Sequence, residues 1–126
     1  MDQYLNIANE GNFMNESVID QASFENLKEM VGADFIGELL DTYFQDAPGL
    51  IAEMHQALGR GDAMAFSRAA HSFKSNSASF GAMGLAAQAR ELEYMGRDGN
   101  LTGAGEKLDS LQVSYDRVQM ALKAMQ

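Results

Sequence analysis

Residues 62–97 read DAMAFSRAAHSFKSNSASFGAMGLAAQARELEYMGR. At about 100° per residue, the first half of this stretch forms a helix with two opposed faces. Phe66, Ala70, Phe73, Ser77 and Phe80 share one stripe, with the first two phenylalanines seven residues apart. His71 points roughly 160° away from that stripe. Its neighbours one turn away are Ser67, Arg68, Lys74 and Ser75, with Ala78 two turns on. The spacing therefore predicts an exposed imidazole beside a lysine, on a surface of small side chains that lets another protein come close. Ser77 points inward and reads as packing.

Working outward, Asp62 is placed to cap the start of this helix by accepting from its free N–H groups. Gly81 is placed to end it, because glycine tolerates positive φ. A short turn then leads into a second helix, Met83–Arg97, with Leu85, Ala89, Leu92 and Gly96 inward. A turn that short makes the two helices antiparallel neighbours. Upstream, Gly32 to Gly59 carries apolar residues from Phe35 to Leu58 at spacings of three and four. Pro48 lies inside this run on the flank of the stripe, which predicts a kink and not a break. His55 sits at the stripe's edge and reads as structural. Downstream, Leu108, Leu111, Tyr115, Val118, Leu122 and Met125 repeat in alternating steps of three and four, a bundle stripe. Gly103 and Gly105 should fray the first turn of that last helix, and Asp98-Gly99-Asn100 is turn chemistry.

The expected fold is all-α: an antiparallel four-helix bundle with helices at about 33–59, 62–80, 83–97 and 103–125. A short N-terminal capping helix at 23–30, with Ser23 as its N-cap, should cover one end through Phe24, Leu27 and Met30. The methionines and the Phe stripe read as core. Residues 1–16 read as a loose arm, with a possible short helix at Gln3–Ala8, and 17–126 as the bundle domain.

At 126 residues the chain is one domain by length. It has no cysteine, so disulfides and thiolate metal sites are excluded, and a reducing cytoplasm suits it. The N-terminus lacks the basic segment and apolar run of a signal peptide, and no stretch approaches the ~20 apolar residues of a membrane span. A net charge of −9 argues against nucleic acid, whose affinity rests on lysine and arginine. The charge is unevenly spread: of 18 acids none falls between Ala63 and Arg90, while Arg68, Lys74 and Arg90 do. A site that receives a phosphoryl dianion benefits from such local positive potential.

The run AHSFKSNSASFGAMGL resembles the signature of histidine-containing phosphotransfer (HPt) domains, roughly A-H-x-[LF]-K-[GS]-x-[SA]-x-x-[LFI]-G-A. The surrounding VID, GADFIGELLDTYFQDAP and L-x-x-x-x-R-E-L-E segments are similar too, and the likeness spans about residues 17–125. It departs at Ser75, where many members have Gly, and at Glu93, where some have Gln. The resemblance implies that His71 is phosphorylated, that Lys74 meets the phosphoryl oxygens, and that Arg68, Ser75, Ala78, Ser79, Glu93 and Arg97 belong to the docking surface. Read as residues alone, Glu93 and Arg97 lie one turn apart and can simply pair at the surface.

Neutral imidazole is a good phosphoryl nucleophile when its path is in line and the oxygens' charge is compensated. The sequence contains no metal-ligand motif, no P-loop and no kinase-type Gly-rich loop, so ATP is not its expected donor. The resemblance instead implies response-regulator receiver domains, including that of a hybrid sensor kinase, as donors and acceptors. These would bring the Mg²⁺, leaving this chain a monomeric carrier with no cofactor of its own. Its initiating Met points to a free-standing shuttle. The alternative is a phosphate-independent helical adaptor that binds receivers while His71 stays unmodified. A bundle hydrolase or metal carrier finds no E-x-x-H pair at core positions.

Overall fold

The computed structural model describes residues 18–126. The arm at 1–16 and its short helix lie outside the described residues. Five helices follow one another: α1 (Gln21–Val31), α2 (Ala33–Arg60), α3 (Ala63–Ser79), α4 (Met83–Asp98) and α5 (Ala104–Ala124). No strand occurs among the described residues. Helices α2 to α5 form the antiparallel bundle and α1 covers one end, as their stripes predict.

The core collects one face of each helix. Phe24 from α1, Leu40 and Met54 from α2, Phe66 and Phe73 from α3, Leu92 from α4 and Leu108, Leu111 and Leu122 from α5 are fully buried. α2 runs unbroken through Pro48 for 28 residues, because the proline lies on the exposed side and only one helical hydrogen bond is forgone. α5 begins at Ala104, after Gly103 takes a left-handed φ of 80°.

Two glycines set the geometry around the site. Gly81 closes α3 in a Schellman arrangement: the Ala82 N–H donates to the Ser77 carbonyl at 3.1 Å and the Gly81 N–H to the Ala78 carbonyl at 3.0 Å. Its φ is +83°, and a Cβ there would meet the Asp20 carbonyl at 2.7 Å. The Asp20 N–H in turn donates to the Gly81 carbonyl at 2.8 Å, pinning the start of α1 to the end of α3. Gly96 lets α4 approach α3 at backbone distance, since a Cβ there would lie 2.7 Å from the Ala63 carbonyl oxygen and 2.8 Å from the Ser67 Cβ.

Several expectations need correction. α1 starts at Gln21, and Asp20 is its N-cap. Ser23 is not the cap; it sits in the first turn and its hydroxyl donates to the Asp20 carboxylate at 2.8 Å. The Asp20–Gly81 backbone bond fixes the helix start earlier than side-chain capping preference suggests. The methionines are not all core: Met30, Met64, Met83 and Met120 are exposed, as is Phe35, while Met54 is fully buried. Met30 and Phe35 flank Gly32 at the end of the bundle. Periodicity gives an angular position on a helix but not whether a neighbouring element reaches it. His55 is exposed as well, so it has no structural part in the core.

Candidate functional site

His71 occupies the middle of α3, opposite Phe66, Ala70 and Phe73, which are buried. Its side chain is 58% exposed. From below, Glu93 of α4 reaches it: His71 Nδ1 and Glu93 Oε2 lie 2.8 Å apart. Lys74 Nζ donates to Glu93 Oε1 at 2.7 Å, and Arg97 Nη2 donates to Oε2 at 3.1 Å. One carboxylate thus gathers an imidazole, an ammonium and a guanidinium.

The placement follows from how α3 and α4 pack. Ala89, Leu92 and Gly96 of α4 face inward, and Glu93 sits at the edge of that stripe, one turn before Arg97. Because Gly96 and Ser67 bring the backbones together, a glutamate at this edge is driven under the His71 ring. The Ser67 hydroxyl donates to the Glu93 carbonyl at 3.0 Å and so fixes the α4 backbone at this residue.

Glu93 is 3% exposed. Burial alone would push its carboxyl pKa up. The hydrogen bonds from Lys74 and His71, together with their charges, outweigh burial and hold it below its ordinary 4.5. The carboxylate is therefore ionised near neutral pH and can only accept. It follows that His71 Nδ1 carries the hydrogen and donates, which leaves the lone pair of a neutral ring on Nε2. The bond selects the tautomer and aims the ring.

On the opposite face of α3, Ser77 is fully buried and shares a 2.8 Å hydrogen bond with the Tyr43 hydroxyl of α2. Burial is the main cause that raises the Tyr43 phenol; the Ser77 bond opposes it, and Tyr115 nearby adds to it. The Tyr115 ring packs edge-on against Tyr43 and Phe73. Its hydroxyl is buried and has no hydrogen-bond partner among the described residues, and burial, aided by the charge of Asp116, pushes its pKa up to about 12.

A family model described as the Hpt domain matches residues 38–125, most of the chain. The chain belongs to the Hpt domain family. Among solved structures, histidine-containing phosphotransfer protein B (HptB) from Pseudomonas aeruginosa PAO1 is similar, with 32% identity over 86% of this chain and 93% of that one and a TM-score of 0.82. No curated protein matches the sequence. Membership makes this a histidine phosphotransfer protein of phosphorelays, a phosphoryl carrier of a family whose members interact with receiver domains.

Within this Hpt domain, the residues singled out from sequence separate into two groups. His71, Lys74, Glu93 and Arg97 converge in one hydrogen-bonded cluster. Arg68, Ser75 and Ser79 are exposed along α3 and Ala78 is half-buried; they share the histidine's helix but make no side-chain hydrogen bond to the cluster. The Ser79 hydroxyl instead donates to the Ser75 carbonyl at 3.0 Å. Glu93 is the correction. It does not line a docking surface or merely pair with Arg97 in solvent, because both its oxygens are buried and engaged. Its backing of His71 was hidden in sequence, being 22 residues away. The signal that pointed to it was an acid beside inward-facing Leu92 and Ala89. Ser67 and Tyr43 were missed as polar partners for the same reason. Among the described residues, no cluster of three or more His, Asp or Glu side chains is placed to hold a metal ion, and no helix is long and apolar enough to cross a membrane.

Proposed function

We propose that this protein carries a phosphoryl group on His71 Nε2 between aspartates of receiver domains. The neutral ring attacks the phosphorus of an aspartyl phosphate. The Nε2–P bond forms as the P–O bond to the aspartate breaks, and the aspartate leaves as a carboxylate. The ring becomes cationic while keeping its Nδ1–H. Glu93 opposes that positive charge across the 2.8 Å bond, which favours the attack. Transfer onward reverses these steps, with the imidazole as leaving group.

Lys74 is one turn from His71 and partly exposed. In the resting protein it is held by Glu93 at 2.7 Å; its flexible stem lets the ammonium swing to the phosphoryl oxygens as they arrive. Arg97 then remains to neutralise Glu93. A divalent ion, when one is used, comes with the receiver and spreads the charge of the transferring group. Arg68, Ser75, Ala78 and Ser79 form the surface on which the receiver lands. In this reading residues 17–126 are the phosphotransfer domain, and it acts as a cytoplasmic monomer fed by the receiver of a hybrid sensor kinase.

The observation that carries the proposal is an exposed imidazole whose Nδ1 is occupied from beneath, leaving Nε2 free. The test is incubation with a receiver domain charged by a small phosphodonor. Acid-labile, base-stable label on the wild type and none on His71→Gln supports it. Receiver binding without label would replace it with the adaptor reading.

A further inference from the structure

Beside the cluster, Tyr94 projects from α4 between two cations. Arg97 Cζ lies 5.4 Å from its ring centroid and Arg90 Cζ 5.6 Å. All three side chains are exposed. Arg97 also donates to the Glu93 oxygen that His71 meets. The strip Arg90–Tyr94–Arg97 therefore begins at the histidine and runs along the outer edge of α4. Arg97 shares its charge with the buried Glu93 carboxylate at 3.1 Å, whereas Arg90 makes no ion pair among the described residues. Glu93 is buried, and Glu91 pairs with Lys107 of α5. Asp98, at the helix end, pairs with neither arginine among the described residues.

The other flank of His71 differs. The groove between α2 and α3 is lined by Glu53, Arg60, Arg68 and Ser72 along one stretch and by Asp46, Glu53 and Asn76 along the next. Acids and bases balance there. A positive, aromatic edge on one side of the nucleophile thus faces a neutral groove on the other, in a protein whose net charge is −9.

We propose that the Arg90–Tyr94–Arg97 strip orients the incoming receiver by taking a carboxylate-rich edge of its surface, so that the partner's acidic side always lies over α4. This rests on the phosphocarrier reading above. A donor that performs phosphoryl transfer with a divalent ion holds the ion with carboxylates, so its surface next to the reacting aspartate is acidic. Guanidinium groups stacked on an aromatic ring are weakly hydrated and already ordered, which suits them to such a contact. Complementary charge of this kind fixes the register of docking and raises the association rate.

The test uses purified receiver domains charged with acetyl phosphate and follows transfer to the wild type, Arg90→Glu and Arg60→Glu. The last makes the same charge change on the opposite flank. Arg90→Glu is expected to lower kcat/KM about tenfold at low salt, with the deficit shrinking towards about 0.5 M salt. Arg60→Glu is expected to change it by less than about twofold under the same conditions. Equal losses in both variants, or a deficit independent of salt, would overturn the orienting role while leaving the carrier reading intact. Phosphoramidate, which labels histidine without docking, provides the second readout. An Arg90→Glu protein that also fails with phosphoramidate is damaged at His71, and the docking role falls. If no receiver labels the wild type at His71, the carrier reading itself fails.

Discussion

The two faces of α3 solve different problems with the same helix. On the inner face, Phe66, Phe73 and Ser77 are fully buried, and their only polar group is satisfied by Tyr43 of α2. On the outer face, His71 is exposed but not free, because Glu93 of α4 holds its Nδ1. The inner face is set by shape and hydrophobic burial, which repeat along the helix. The outer face is set by one carboxylate from a different helix, brought near by a glycine. Stability and reactivity are thereby assigned to separate sets of atoms, so variants can damage either one alone.

The largest separation is expected from Phe73→Ala. Truncating a fully buried ring should lower stability by about 3–5 kcal/mol, measured by urea unfolding, while the fraction that stays folded still accepts phosphate at His71. Loss of acceptance in the folded fraction would show that the faces are coupled.

A finer test lies within the inner face. Tyr43→Phe leaves the Ser77 hydroxyl buried without its partner and should cost about 1–3 kcal/mol. Tyr115→Phe removes a hydroxyl that has no partner among the described residues, and should leave the melting temperature unchanged or raise it. Equal losses in the two variants would mean that the Tyr43–Ser77 bond contributes nothing.

The outer face is probed by pH. The folded-state pKa of Glu93 lies below 4.5, so its ionised form contributes stability that is fully present above that value. This contribution is lost as pH falls from 4.5 through the lower folded value. Glu93→Gln should lack that part of the acid limb in melting curves taken across this window. It should also slow transfer less than Glu93→Ala, because the amide oxygen can still accept from Nδ1 while the charge is gone. The smallest expected effect is that of His71→Gln on stability, within about 0.5 kcal/mol, because the ring is largely exposed. A largely unfolded variant would contradict its exposed placement.

How much of this was legible in sequence follows the same division. Helix positions, the antiparallel α3–α4 pair, the Asp62 cap, the Gly81 stop and the orientation of His71 all follow from local spacing. Asp62 does accept from the Ala65 N–H, at 3.1 Å. Glu93 was visible as a residue near the site but not as its buried support, because burial depends on how closely α4 approaches α3. Met30 and Phe35 matched their stripes yet lie exposed, since no stripe tells where the neighbouring helix ends. Asp20 displaced Ser23 as the α1 cap through a backbone bond to Gly81, a contact between segments some 60 residues apart.

The central claim is that Glu93 occupies Nδ1 and leaves Nε2 as the nucleophile. The direct measurement is NMR of the ¹⁵N-labelled His71 ring after transfer from a charged receiver. The phosphoryl group should be on Nε2, with Nδ1 still protonated and donating. A phosphoryl group on Nδ1 would require the Glu93 contact to break first, and would contradict the account.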